Sequence, residues 1–328
     1  MKIAVVVPCY KVRNHILDLL SRIGPEVAVV FVVDDGCPEQ SGQLVAQTVT
    51  DPRVQVIFHE TNQGVGGAMI TGYRAALAAD IDIVVKVDGD GQMDPALIGA
   101  FVAPLAEGEA DYTKGNRFFE LETLESMPKM RVFGNSVVSF VNKVAGGYWN
   151  LMDPANGYTA ITKSVLAAIP LDKLDRGYFF ESDMLFRLNT LRAVVVEIPM
   201  KAVYGLERSN MRLSRISMEF PGKYLVRFLK RIFYNYFLRD FNVCSIELVF
   251  GTLLMCWGVL FGGYHWLAGS LNGRFASAGT VMLAAMPFIL GFQLLLAAVE
   301  YDVRNVPTRP LSQQNRAKPG RLPPHING

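Results

Sequence analysis

Cysteine and histidine are scarce in this chain, and the few present are scattered. Cys9, Cys37, Cys244 and Cys256 form no CxxC or other metal-ligand spacing, so the pattern offers neither a zinc cluster nor a disulfide framework, and a reducing compartment fits. The four histidines are equally dispersed. A surplus of one charge is missing too: 32 Lys and Arg against 30 Asp and Glu leave a formal +2, which gives no reason to expect nucleic acid. Lys2 and a strand-like run open the chain directly, so no signal peptide is expected. What the chain has in excess is hydrophobic residues, 51% of 328. That is high for a wholly soluble protein, and the excess is unevenly spread.

Residues 1–240 read as an alternating α/β domain. Ile3–Val7, Val27–Val33, Val54–Phe58 and Ile81–Val87 are short β-branched runs, the pattern of buried strands. Between them, His15–Ile23, Gln43–Val49 and Gly66–Ala79 carry helical periodicity. Alternation of this kind implies βαβ units and a largely parallel sheet, with ligands beyond the carboxyl ends of the strands. Asp34-Asp35 and Asp88–Asp90 both follow strands and are expected on that one edge.

The last third differs. Cys244–Ala268 carries one charge, Glu247, and Phe275–Val299 carries none. A bilayer core of about 30 Å takes about 20 apolar helical residues, so both runs are long enough to span, joined by a short linker at Gly269–Arg274. Trp257, Tyr264 and Trp266 suit interfacial anchors. Two buried helices of a soluble core are the blander reading, but helices this long normally keep a polar face. Basic residues precede the first span (Lys223, Arg227, Lys230, Arg231, Arg239) and follow the second (Arg304, Arg309, Arg316, Lys318, Arg321). The positive-inside rule then places the N-terminal domain and the tail on the cytoplasmic side of a multi-pass inner-membrane protein. The expected division is a domain over 1–220, an amphipathic interfacial helix over 221–243, two spans over 244–303 and a basic, disordered cytoplasmic tail over 304–328.

The strongest chemical signal is Val87-Asp88-Gly89-Asp90-Gly91-Gln92. Two carboxylates one residue apart, just past a buried strand, can grip a divalent cation, Mg²⁺ or Mn²⁺, that shares its shell with phosphates. Such an ion neutralises charge building on a diphosphate leaving group. Three features agree with it. Pro8-Cys9-Tyr10 offers an aromatic for a base, Asp35 a carboxylate for a base edge, and Asn62–Ala68 a glycine-rich helix start for phosphate. Each taken alone is also ordinary turn chemistry.

Together these runs, VVVPCY, VVDDG, NQGVGGAMITGYRAAL and VVKVDGDGQMDP, resemble family 2 glycosyltransferases of the GT-A fold, over residues 1 to about 210. The resemblance implies nucleoside contacts from Pro8, Tyr10 and Asp35, and a metal-diphosphate site at Asp88, Asp90 and Gln92. A narrower likeness is to the polyprenyl-phosphate glycosyltransferases, the dolichyl-phosphate mannose synthase-like group. There a Gly-Ser-Arg element, here Gly115-Asn116-Arg117, a second basic position, here Arg131, and a DPxSGF-like element, here Asp153–Tyr158, accompany a lipid-phosphate acceptor. The likeness implies that Arg117 and Arg131 bind that phosphate, and that the Glu207–Arg212 segment, with Ser209 and Arg212, closes over the donor. Related hairpin-anchored enzymes often self-associate, so a homo-oligomer is also implied.

Two departures stand out. Lys11-Val12 replaces the family's Asn-Glu after the first-strand tyrosine. Phe179-Phe180-Glu181-Ser182-Asp183 resembles the acidic acceptor motif of other inverting members, in which one carboxylate is the base. A hydroxyl acceptor needs a base, whereas a phosphate monoester is already ionised near neutral pH. Three readings therefore stand: transfer from a UDP- or GDP-sugar to a membrane-borne polyprenyl phosphate, transfer to a glycan hydroxyl with Asp183 or Glu181 as base, and a non-catalytic nucleotide-sugar-binding module.

Overall fold

A computed structural model of the chain describes residues 1–119, 129–201 and 213–316, without the side chains of 129–133, 135, 213–218 and 314–316. Two compact units emerge, Met1–Phe228 with Pro307–Gly328, and Leu229–Val306.

The first unit is built on seven strands: β1 (Ile3–Cys9), β2 (Val29–Asp34), β3 (Val54–Phe58), β4 (Ile83–Lys86), β5 (Tyr112–Asn116), β6 (Thr159–Thr162) and β7 (Val195–Pro199). Their order is β3-β2-β1-β4-β6-β5-β7. β2, β3 and β4 join β1 in a parallel block, and β5 pairs β7 in parallel. The sheet is therefore largely parallel, as expected, with β6 the exception, antiparallel to both β4 and β5. Its reversal matters for function. The loop that feeds the start of β6 arrives at the same edge as the carboxyl ends of β1, β2, β4 and β5.

β1, β2 and β4 are buried along nearly their whole length, which is why they read as unbroken apolar runs rather than alternating ones. Helices α1 (Ile16–Ser21), α2 (Ser41–Thr48), α3 (Val65–Ala78) and α4 (Ile98–Ala106) follow successive strands. Ile16, Leu19, Ile98 and Phe101 pack with Val5, Val7, Val30, Val32 and Val85 in one core. The later helices of this unit are α5 (Lys129–Gly146), α6 (Lys163–Ala168) and α7 (Phe180–Leu191). Next comes α8 (Leu213–Phe233), which continues into a π-helical turn at Tyr234–Arg239.

The segment read from sequence as a disordered tail holds a short helix, α11 (Leu311–Arg316). The Leu311 N–H donates to both oxygens of buried Asp111, a connection no local pattern announces.

The second unit is a helical hairpin, α9 (Val243–Asn272) and α10 (Ala278–Arg304). Both helices are long and apolar enough to cross a membrane. α9 runs to Asn272, past the expected linker start, because Gly273 adopts a left-handed φ of 62° and caps the helix with its N–H on Gly269 O. The helices touch through glycine: a Cβ on Gly258 would lie 2.7 Å from Phe288 Cβ, and one on Gly291 2.6 Å from Met255 N. Within the same unit, Arg231 forks onto Asp302 at 2.6 and 2.9 Å.

Candidate functional site

The parallel block sets Tyr10, Asp34, Asp35 and Asp88 along one edge, since Cys9 pairs with Asp34 and Val6 with Lys86 across adjacent strands. Tyr10 is 36% exposed, enough to stack on a planar ligand. Asp34 is buried and receives the N–H groups of Cys37 (2.7 Å) and Gly42 (2.7 Å), which tie down the turn into α2. Asp35 is buried as well, and a loop surrounds it. Its oxygens take Gln63 N–H and Gly64 N–H at 2.8 Å each and face His59 Nδ1 at 2.7 Å. His59 Nε2 meets Thr71 Oγ1 at 2.9 Å. Asp35 thus fastens the glycine-rich segment before α3.

Past β4, Asp90 accepts the Gln92 N–H at 3.0 Å, and the turn depends on Gly91 at φ 75°, a region that disfavours other residues. Asp88 differs. Among the described residues its Oδ1 accepts no hydrogen bond although buried, with Lys86 Nζ 3.0 Å away. No group of three or more His, Cys, Asp or Glu gathers among the described residues. The oxygen-only set Asp88, Asp90 and Gln92 suits a hard divalent ion whose remaining ligands come from phosphates, and among the described residues Asp88 Oδ1 is met by the Lys86 ammonium as an ion pair.

Across the edge lie the groups expected to meet an acceptor. Arg117, at the end of β5, forks onto Asp153 through Nε (2.7 Å) and Nη2 (3.0 Å). Glu197 on β7 organises this corner by accepting Met152 N–H (2.6 Å), Asp153 N–H (2.8 Å) and Asn116 Nδ2 (2.8 Å). Burial raises the Glu197 carboxyl above its ordinary range despite those donors. Arg131 lies in α5 with its side chain outside the described residues, and Ser209 and Arg212 lie outside them altogether.

The carboxylates of the FFESD run are both held in ion pairs, Asp183 fully buried and Glu181 half-buried. Lys86 on β4 and Lys114 on β5 each pair with Thr159 of β6, so they stand in one row on one face of the sheet. Both reach Glu181 in the first turn of α7, Lys86 at 2.9 Å and Lys114 at 3.4 Å. Lys114 also donates to Asn156 O, and Lys86 to Gly157 O at 3.0 Å. Gly157 must be glycine here, because a Cβ would lie 2.6 Å from both Asp88 Oδ2 and Lys86 Nζ. Burial disfavours charge throughout, yet Asp88 and Glu181 hold Lys86 above the usual lysine range. Burial would likewise raise Glu181, but the two ammonium groups hold it below the usual glutamate range. Asp183 is fully buried. It accepts Arg227 Nε on one oxygen, and Arg187 Nε (3.2 Å) and the Asp175 N–H (3.0 Å) on the other. Lys223 similarly binds Asp175 at 2.6 Å, so two cations read as facing a membrane are spent on carboxylates of the domain.

With this geometry in view, comparison with known proteins is decisive for the family. The model of "Glycosyl transferase family 2" matches residues 4–169. The chain belongs to glycosyl transferase family 2. This family 2 member is 26% identical over 242 residues to a UDP-N-acetylglucosamine–dolichyl-phosphate N-acetylglucosaminyltransferase of Methanococcus voltae, covering 70% of this chain and 96% of that protein. It is 31% identical over 207 residues to an undecaprenyl-phosphate mannosyltransferase of Micrococcus luteus, covering 62% and 84%. Among solved structures, glucosyl-3-phosphoglycerate synthase of Mycobacterium tuberculosis with Mn²⁺ and UDP-glucose superposes with a TM-score of 0.54. That match is 20% identical and covers 69% of this chain and 78% of the other. The fold is therefore GT-A and the protein a glycosyltransferase.

Sequence reading passed over Lys86, Lys114, Glu197 and His59. Lys86 carried a usable signal, a lone cation inside the apolar run Ile83–Val87, since a buried lysine needs a buried partner; Lys114, in YTKGN, did not.

Proposed function

We propose that this glycosyltransferase is an inverting enzyme that moves a sugar from a UDP- or GDP-sugar to a polyprenyl phosphate. The observation that carries the acceptor is the state of Glu181 and Asp183. A base must be able to take a proton, but Glu181 is gripped by two buried lysines, and fully buried Asp183 by two half-buried arginines. A phosphate monoester brings its own ionised oxygen and needs no base. Relatives named for dolichyl and undecaprenyl phosphate support the same acceptor class.

In this reading Tyr10 stacks on the base, with Pro8 and Asp35 shaping the nucleoside pocket. A divalent ion held by Asp88, Asp90 and Gln92 would neutralise the departing diphosphate. Arg117, oriented by Asp153, and Arg131 orient the acceptor phosphate for in-line attack on the anomeric carbon. The two apolar helices would anchor the enzyme where a lipid phosphate resides, and the remaining flanking cations support a cytoplasmic side for the transferase domain. The test is to incubate detergent-solubilised protein with Mn²⁺, labelled UDP- and GDP-sugars and undecaprenyl phosphate. Label is expected in a mild-acid-labile lipid. Label that reaches only glycan hydroxyls would overturn the acceptor assignment.

A further inference from the structure

We infer that Lys86 is a resident counter-cation of the Asp88–Asp90 site, which makes retention of a divalent ion depend on a nucleotide diphosphate bound beside it. The inference rests on the donor-site reading above and goes beyond it, to a residue outside the DxD motif. Lys86 Nζ has three oxygens within 3.0 Å: Gly157 O, Glu181 Oε1 and Asp88 Oδ1. An ammonium has three N–H groups, and the side chain is 2% exposed, so the cation is fixed from several sides and does not swing away. Lys114 stands one strand further on, against the other oxygen of Glu181.

Lys86, 3.0 Å from Asp88, cancels that carboxylate locally, while Lys114 faces Glu181 and completes a quartet of two acids and two lysines. Asp88 therefore brings no net negative charge to an approaching divalent ion, and the ion also meets the nearby ammonium as a like charge in a poorly screened setting. Asp90 contributes the one carboxylate charge outside this quartet. A divalent ion held through so few charges needs the diphosphate oxygens to complete its shell. The ion would then arrive with the donor and leave with the nucleotide product, instead of staying on the empty enzyme.

The test reads free Mn²⁺ by electron paramagnetic resonance, with the full-length detergent-solubilised protein, alone and with UDP or GDP. For the wild type, nucleotide is expected to tighten Mn²⁺ binding at least tenfold. The charge-balanced double variant Lys86→Met/Glu181→Gln removes one charge of each sign and is expected to bind Mn²⁺ without nucleotide about tenfold more tightly than wild type. Glu181→Gln alone leaves the ammonium less compensated and is expected to weaken Mn²⁺ binding severalfold with nucleotide present. Opposite signs from these two variants are not what a merely structural role would give. If the double variant does not fold, as circular dichroism would show, the single variant decides by its sign. Equal Mn²⁺ affinities across the three proteins, with nucleotide-dependent binding intact, would overturn the role of Lys86 alone. No Mn²⁺ bound by any of them, even with both nucleotides, would overturn the donor-site reading and this inference with it.

Discussion

Two pairs of carboxylates with the same i, i+2 spacing meet opposite fates in this protein. Asp88 and Asp90 follow a strand, in a turn that Gly91 bends, and stay partly exposed at the sheet edge. Glu181 and Asp183 sit in the first turn of α7, where residues two apart project in different directions. Each is therefore drawn to a separate set of cations, Glu181 to Lys86 and Lys114, Asp183 to Arg187 and Arg227. The first pair is disposed to meet a ligand and the second to hold the domain together. Acidic spacing alone does not make a site. The element that carries the acids, and the cations it faces, decide whether charge is on offer or already committed.

The difference can be broken by mutation. Asp183→Asn leaves two arginines around a neutral side chain, and losing one partner of a buried ion pair costs about 3–5 kcal/mol. Denaturant melts should show that loss, while kcat of the folded protein stays within about twofold. A collapse of kcat with unchanged stability would make Asp183 a base after all. Asp90→Asn should do the reverse. If Asp90 holds the proposed ion at the leaving diphosphate, kcat/KM is expected to fall by about 10²–10³-fold, with stability shifted by no more than about 1 kcal/mol. Arg117→Lys keeps the charge but loses the fork onto Asp153. A loss of about tenfold in kcat/KM is expected, carried mostly by KM for polyprenyl phosphate. An unchanged KM for that acceptor would remove Arg117 from the acceptor site.

The shared edge of Tyr10, Asp35 and Asp88 was legible because its determinants are local. Apolar runs such as IAVVV and IVVK announce buried strands, and the acids that follow them land at strand ends wherever the sheet places them. The two apolar helices were legible for the same reason, since length and composition are read along one segment. The fate of the FFESD carboxylates was legible only in part: a pairing with Arg187, one turn on, is a local alternative that Asp183 does take up, but the other partners are remote. Lys86 lies 95 residues from Glu181 and Lys114 lies 67 away. Arg227 lies 44 residues from Asp183, in a helix read as a membrane-surface element. β6 was hidden as well. Thr159–Thr162 is too short for periodicity to mark it, and its antiparallel direction, which brings Asn156 and Gly157 onto the lysines, is a property of pairing.

Glu197 offers the finest test, because it supports the acceptor corner without belonging to either pair. Its carboxyl is raised by burial, against the pull of the Asp153 and Met152 N–H groups. A carboxyl raised by folding stabilises the native state below its unfolded value, and that contribution fades as pH rises through the folded value. Stability of the wild type should therefore carry a downward component with rising pH above the ordinary glutamate range. Glu197→Gln keeps an acceptor for the two backbone N–H groups and cannot ionise, so the same melts should lose that component. The exchange should cost about 1 kcal/mol through the mismatched bond to Asn116. If Glu197 acts by holding the loop that orients Arg117, KM for the lipid phosphate should rise a few-fold while KM for the nucleotide sugar does not move. A matching rise in both would tie Glu197 to the donor edge instead, and the separation between the two sides of the site would not hold at this residue.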